Sequence, residues 1–69
     1  MIKYDVYKRP NGLFYRVAMR DTFHTRAELF ASHLNVWVKS ALKVGDVVSS
    51  PRSSLLARNV AFKDSVCSQ

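Results

Sequence analysis

The side chains with the most chemistry to offer lie in the first twenty residues, where Lys3, Lys8, Arg9, Arg16 and Arg20 are interleaved with Tyr7 and Phe14 and opposed by Asp5 alone. Cations of this kind hold phosphates, and flat rings such as Tyr7 and Phe14 stack on unpaired bases at about 1–3 kcal/mol each. Arg16 and Arg20 also suit base edges in a major groove. Arg52 and Arg58 would extend the phosphate-contacting surface. Over the whole chain eleven Lys and Arg face five Asp and Glu, a formal charge of +6. The expected partner is therefore a polyanion, with DNA and RNA equally suited. A second surface is expected at Leu29, His33, Val36 and Trp37. These would serve a protein partner or a second copy of the chain, as in a docking module or a small modulator of a larger complex.

Catalysis finds little material. His24 and His33 have no carboxylate or thiol at a metal-ligand spacing, and Cys67 is the single cysteine. The acids Asp5, Asp21, Glu28, Asp46 and Asp64 are scattered, and no glycine-rich loop could cradle a phosphate. The expectation is a binding protein rather than an enzyme, with no cofactor, metal or small-molecule substrate.

These side chains need a scaffold, and 69 residues allow one small core. Ile2, Tyr4 and Val6 alternate with Lys3, Asp5 and Tyr7, and Leu13, Tyr15, Val17 and Met19 alternate with Phe14, Arg16, Ala18 and Arg20. This is the period of two strands. Asn11-Gly12 between them suits a two-residue turn, which would pair Val6 with Val17 and Tyr7 with Arg16. One face of the hairpin would then carry Lys3, Tyr7, Arg9, Phe14, Arg16 and Arg20, with Lys8 near its tip.

From Thr25 to Gly45, nine apolar residues (Ala27, Phe30, Ala31, Leu34, Trp37, Val38, Ala41, Leu42 and Val44) gather on one side of a helical wheel. Thr25 and Glu28 have capping-box spacing, and Gly45 suits the position after a helix end. Val47 and Val48 suggest a short strand and Leu55 to Phe62 a longer one. The expected fold is α+β: a β-hairpin, a helix and a second β-hairpin, with one face of an antiparallel sheet packed on the amphipathic helix. Residues 1–63 would form one domain and residues 64–69 a flexible tail. No segment has the length of a membrane span or the apolar core of a signal peptide, so a cytoplasmic location is expected.

A second architecture comes from a resemblance. Asn11-Gly12-Leu13-Phe14-Tyr15, Leu29-Phe30-Ala31-Ser32-His33, Leu42-Lys43-Val44-Gly45-Asp46-Val47-Val48 and Arg58-Asn59-Val60 together look like a degenerate cold-shock domain. That resemblance implies a five-stranded OB-fold barrel that binds single strands, with Tyr7, Tyr15, Phe30 and His33 at the base-stacking positions. Leu13, Phe14, Val6 and Ser32 depart from the family's pattern. The barrel would make residues 28–33 a strand, whereas the helical stripe makes them a helix.

Overall fold

The computed structural model describes residues 2–63. Five strands and one helical turn follow in the order β1 (Lys3–Lys8), β2 (Phe14–Arg20), β3 (Phe23–Ala31), β4 (Val36–Lys39), α1 (Val44–Val48) and β5 (Ser54–Ala61). All pairings are antiparallel, and the strands lie in the order β4-β3-β2-β1-β5. The first four form a meander; the segment containing α1 then returns the chain from one edge to the other. The sheet is open, with β4 and β5 as its edges, so the closed barrel of the cold-shock resemblance is not formed.

The helix expected over Thr25–Gly45 is absent. Its residues form β3, a turn, β4 and a short coil leading to α1. The turn explains how the periodicity misleads. Ala31 and Ser32 carbonyls accept from Leu34 and Asn35 N–H at 3.1 and 3.2 Å, and Asn35 then adopts φ 54°. A tight turn followed by a left-handed Asn ends local winding after a few residues. On either side β-branched and aromatic residues pair across strands, Phe30 opposite Trp37 and Leu29 opposite Val38. Thr25 and Glu28 form no cap: Thr25 is the extra residue of a bulge where β3 slips against β2, and Glu28 reaches Arg16. Val47 and Val48, expected in a strand, belong to α1.

The first hairpin differs from expectation by one residue of loop. Gly12 N–H donates to the Arg9 carbonyl at 2.9 Å, and Arg9 N–H donates to the Leu13 carbonyl at 3.2 Å. The loop is therefore Pro10-Asn11-Gly12, with Gly12 at φ 81° and the Asn11 side chain accepting from Leu13 N–H at 2.9 Å. Proline decides the outcome. A two-residue Asn-Gly turn would need a Pro10 N–H to bond Leu13, and proline has none; Pro10 instead takes the second position of a type I turn, where its fixed φ fits. The added residue moves the register, so Tyr7 faces Tyr15 and Val6 faces Arg16. A one-residue shift exchanges the faces of one strand relative to the other.

One face consequently collects Tyr7, Tyr15, Val17 and Ala27 in a core with Val47 of α1, and Leu29, Leu42, Val44 and Val48 pack against it. Val17 and Val47 are fully buried. We call this the covered face; the other is the open face. The expected C-terminal tail, with Cys67, lies outside the described residues.

Candidate nucleic-acid interface

Strand alternation and the observed register place Tyr4, Val6 and Lys8 of β1 on the open face beside Phe14, Arg16, Ala18 and Arg20 of β2. Arg26, Glu28 and Phe30 of β3 and Trp37 and Lys39 of β4 continue it. At one end lies a groove of about 390 Å³, bounded by Phe14, Phe30 and Trp37 on one side and by Val6 and the β5 residues Leu56, Ala57 and Val60 on the other. Phe62, just beyond β5, completes its wall. Among the described residues no polar side chain lines it. Phe14 remains 40% exposed, and Phe30, Trp37 and Phe62 are half-buried.

Arg16 is the centre of this face, although its residue is only 2% exposed. Its guanidinium carbon lies 4.1 Å from the Tyr4 ring centre, 4.6 Å from Trp37 and 4.8 Å from Phe62. Its Nε–H donates to Glu28 Oε1 at 2.8 Å. The rings also support one another: Phe62 is edge-on to Tyr4 and to Trp37 at 5.4 Å, and Trp37 is tilted against Phe30 at 5.2 Å. A contact between Trp37 on one edge strand and Phe62 beside the other requires the open face to be concave. Buried aromatic surface and a cation held over π-faces make this a firm platform rather than a solvated charged face.

Around it stand exposed cations. Lys8 Nζ lies 5.7 Å from the Phe14 ring centre, Lys39 is opposite Glu28, and Arg20 and Arg26 lie toward the β2–β3 turn. Among the described residues Glu28 is the sole carboxylate on the strands of this face, and Arg16 pairs with it; Asp21 stands in the β2–β3 turn at the far end.

No family model, curated protein or solved structure matches this chain.

Of the residues expected to contact nucleic acid, the open face holds Lys8, Phe14, Arg16 and Arg20. Tyr7 does not belong there: it is 6% exposed, in the core. Burial raises its phenol pKa, the charge of Asp5 raises it further, and Arg58 partly opposes this. Lys3 shares the covered side with Tyr7, because the three-residue loop moved it there. Arg9 is turned to α1, donating from Nη1 to the Asp46 carbonyl at 2.7 Å and to Ser53 Oγ at 3.2 Å. Arg58 acts electrostatically on Asp5 and Tyr7 of the covered side, and Arg52 stays exposed in the loop before β5. The strip of Leu29, His33, Val36 and Trp37 expected for a protein partner does not exist, since it required a helix. Leu29 packs on the core, His33 lies in the β3–β4 turn, and Val36 and Trp37 are adjacent strand residues with opposite outlooks.

The structure adds residues that the sequence reading missed, Phe62, Lys39 and the cation Arg26, beside Phe30, which only the cold-shock resemblance places among stacking residues. A signal for Arg26, and for the strand that carries Phe30, was available in Arg26-Ala27-Glu28-Leu29-Phe30, where core-facing Ala27 and Leu29 alternate with Arg26, Glu28 and Phe30. Also unforeseen is the bond from His24 Nε2–H to Asp5 Oδ2 at 3.0 Å, while Asp5 Oδ1 accepts from Asn59 N–H at 3.0 Å. This carboxylate ties β3 and β5 to β1 where the register of β5 shifts against β1 between Ala57 and Val60, and there Asn59 has φ 57°. Among the described residues no three His, Cys, Asp or Glu side chains could hold a metal ion together, and no helix is long and apolar enough to cross a membrane.

Proposed function

We propose that this protein binds single-stranded nucleic acid on the open face of its sheet. The observation that carries the reading is the arrangement of Phe14, Phe30 and Trp37 around one groove, with Lys8 and Lys39 beside it and Glu28 neutralised by Arg16. Unpaired bases present apolar π-faces that stack on such rings, while the backbone of the same strand seeks cations a few ångströms away. A regular duplex hides the faces of its bases, so the groove favours a single strand. The net charge of +6 brings polyanions to the surface from a distance. Asp5 and His24 in this reading hold strands together, and the chain binds without catalysing a reaction.

The second reading is a protein-docking module. Its support is the wholly apolar wall formed by Leu56, Ala57 and Val60, which would accept an apolar side chain from a partner. The two readings differ in salt dependence and in the probe that fills the groove.

The test uses Trp37, the single tryptophan of the chain. Titration with short oligothymidylate and oligouridylate should quench its fluorescence, with an affinity that falls as salt rises by a slope of about −0.7 per neutralised phosphate. Absence of binding to both oligonucleotides at low salt would overturn the proposal.

A further inference from the structure

At the other end of the open face, beside the β2–β3 turn, lies a pocket of about 490 Å³ lined by Ala18, Arg20, Asp21, Thr25 and Arg26 together with Ile2 and Met19. It has no part in the stacking groove, and its polar lining sets it apart. Phe14 and Arg20 are six residues apart on β2, which at strand rise separates groove and pocket by about 20 Å along the same face.

Three features of the local backbone build it. The turn at Asp21, which has φ 57°, brings β2 and β3 together at Arg20 opposite Phe23. Thr25 is the inserted residue of the bulge, and the bulge lets Arg26 follow Ala18 in register while His24 faces Met19. A bulge re-aims side chains in this way and adds local twist. Arg26 is also anchored, because its Nη2–H donates to Tyr4 Oη at 3.1 Å. Among the described residues, two arginines and a threonine thus line one cavity against one carboxylate, Asp21. Planar guanidinium forks match the oxygens of a phosphate, and a monoester carries about −1.5 to −2 charge, against −1 for a phosphodiester.

We infer that the pocket between Arg20 and Arg26 binds a phosphate monoester, the phosphorylated end of the nucleic-acid strand that lies on the open face. This rests on the single-strand reading for its ligand, but not for its chemistry. The aromatic groove takes bases and the arginine pocket takes the terminal phosphate, which gives the bound strand a direction.

The experiment has two arms on the full-length chain. In the first, inorganic phosphate is titrated while backbone and arginine side-chain NMR signals are followed. Saturable shifts confined to Arg20, Thr25 and Arg26 are expected, and Asp21→Asn should tighten phosphate binding several-fold by removing the opposing charge. In the second, matched oligothymidylates ending in a 5′-phosphate, a 3′-phosphate or hydroxyl groups are compared. One phosphorylated end should bind at least 5-fold more tightly than the hydroxyl form, and Arg20→Gln should abolish that ratio. Arg20 is exposed on the last residue of its strand, so this variant tests charge without disturbing the core. If phosphate produces no localised shifts, or if the three oligonucleotides bind equally, the pocket assignment fails while binding in the groove still stands. If phosphate binds in the pocket and no oligonucleotide binds anywhere, the single-strand reading fails and the anion site survives.

Discussion

Arg16 Nε lies 2.8 Å from Glu28 Oε1 across the neighbouring strands β2 and β3, and both side chains are largely shielded, at 3% and 16% exposure. Their positions are directly opposed in the β2–β3 ladder. Two charges out of water at this distance are held by hydrogen bonding and by the rings of Tyr4, Trp37 and Phe62 around the guanidinium. The pair thus does two things: it fixes the middle of the open face, and it removes the negative charge that would repel a polyanion there.

Breaking the pair from one side should cost more than removing it. Glu28→Leu takes the carboxylate away from a buried guanidinium and is expected to lower stability by about 3 kcal/mol. Arg16→Met should also destabilise, by leaving a shielded carboxylate without its partner. In the double variant both desolvation penalties vanish, so the loss should be smaller than for Glu28→Leu alone. Urea denaturation with a shared m-value measures the three differences. A double variant whose loss equals the sum of the single losses would show that the two side chains are not coupled.

Acid should loosen the β1–β5 side of the sheet first. Burial alone would raise the Asp5 carboxyl, but the His24 hydrogen bond, the Asn59 N–H and the positive charges of His24 and Arg58 outweigh it and hold the pKa below the ordinary 3.8. A carboxylate depressed in the folded state contributes stability that is complete above its unfolded pKa, near 4, and lost as pH falls through the folded value. Tyr7 has the opposite sign. Its raised phenol contributes stability below pH 10 that is lost as pH rises through the folded pKa. Thermal melts of the parent chain and Asp5→Asn from pH 6 to pH 2 check the acid limb: the parent should lose stability across this range more steeply than the variant.

How far the sequence led can be seen in single positions. Period-two alternation from Tyr4 to Lys8 and from Phe14 to Arg20 marks β1 and β2 correctly, and the run from Leu55 onward marks β5. The face of each residue was harder. It depends on whether the loop has two or three residues, and Pro10, through its missing N–H, settles the matter against the stronger Asn-Gly signal. β3 and β4 were hidden because Ala27, Phe30, Ala31, Trp37 and Val38 fit a helical arc as well as a strand ladder, and Leu34 of the turn between them completes the arc. What selects the strand is long-range: Glu28 finds Arg16 and Leu29 finds Tyr15, partners that no local window contains. The open face was legible at Phe14 and Arg20. Phe30, Trp37 and Phe62 join it only through that topology.

The two glycines should respond oppositely to the same substitution. A methyl group at Gly12 or at Gly45 would meet nothing within 4 Å, so sterics do not separate them. Backbone conformation does. Gly12 sits at φ 81°, where an L side chain is strained, and Gly12→Ala is expected to cost about 1 kcal/mol. Gly45 lies in α1 without that requirement, and Gly45→Ala should stabilise by about 0.5 kcal/mol through the unfolded chain and helix propensity. Melting temperatures of the two variants, moving in opposite directions, are the check.

Groove and rim should separate in their response to salt if bases and phosphates are held by different side chains. Phe14 is accessible and packs under Lys8, so Phe14→Ala removes one stacking surface and should weaken oligothymidylate binding by about 1–3 kcal/mol, roughly 5- to 150-fold. The slope of affinity against salt should stay unchanged, because no phosphate contact is lost. Lys39→Ala should act the other way, with a modest loss of affinity at low salt and a slope shallower by about 0.7. Lys39 is also opposite Glu28, so its removal leaves Arg16 as that carboxylate's described ion-pair partner and should leave the fold intact. Fluorescence titrations of both variants at several salt concentrations measure the affinities and slopes together. A Phe14→Ala chain with undiminished affinity would remove the groove from the binding surface, whatever the rim cations do.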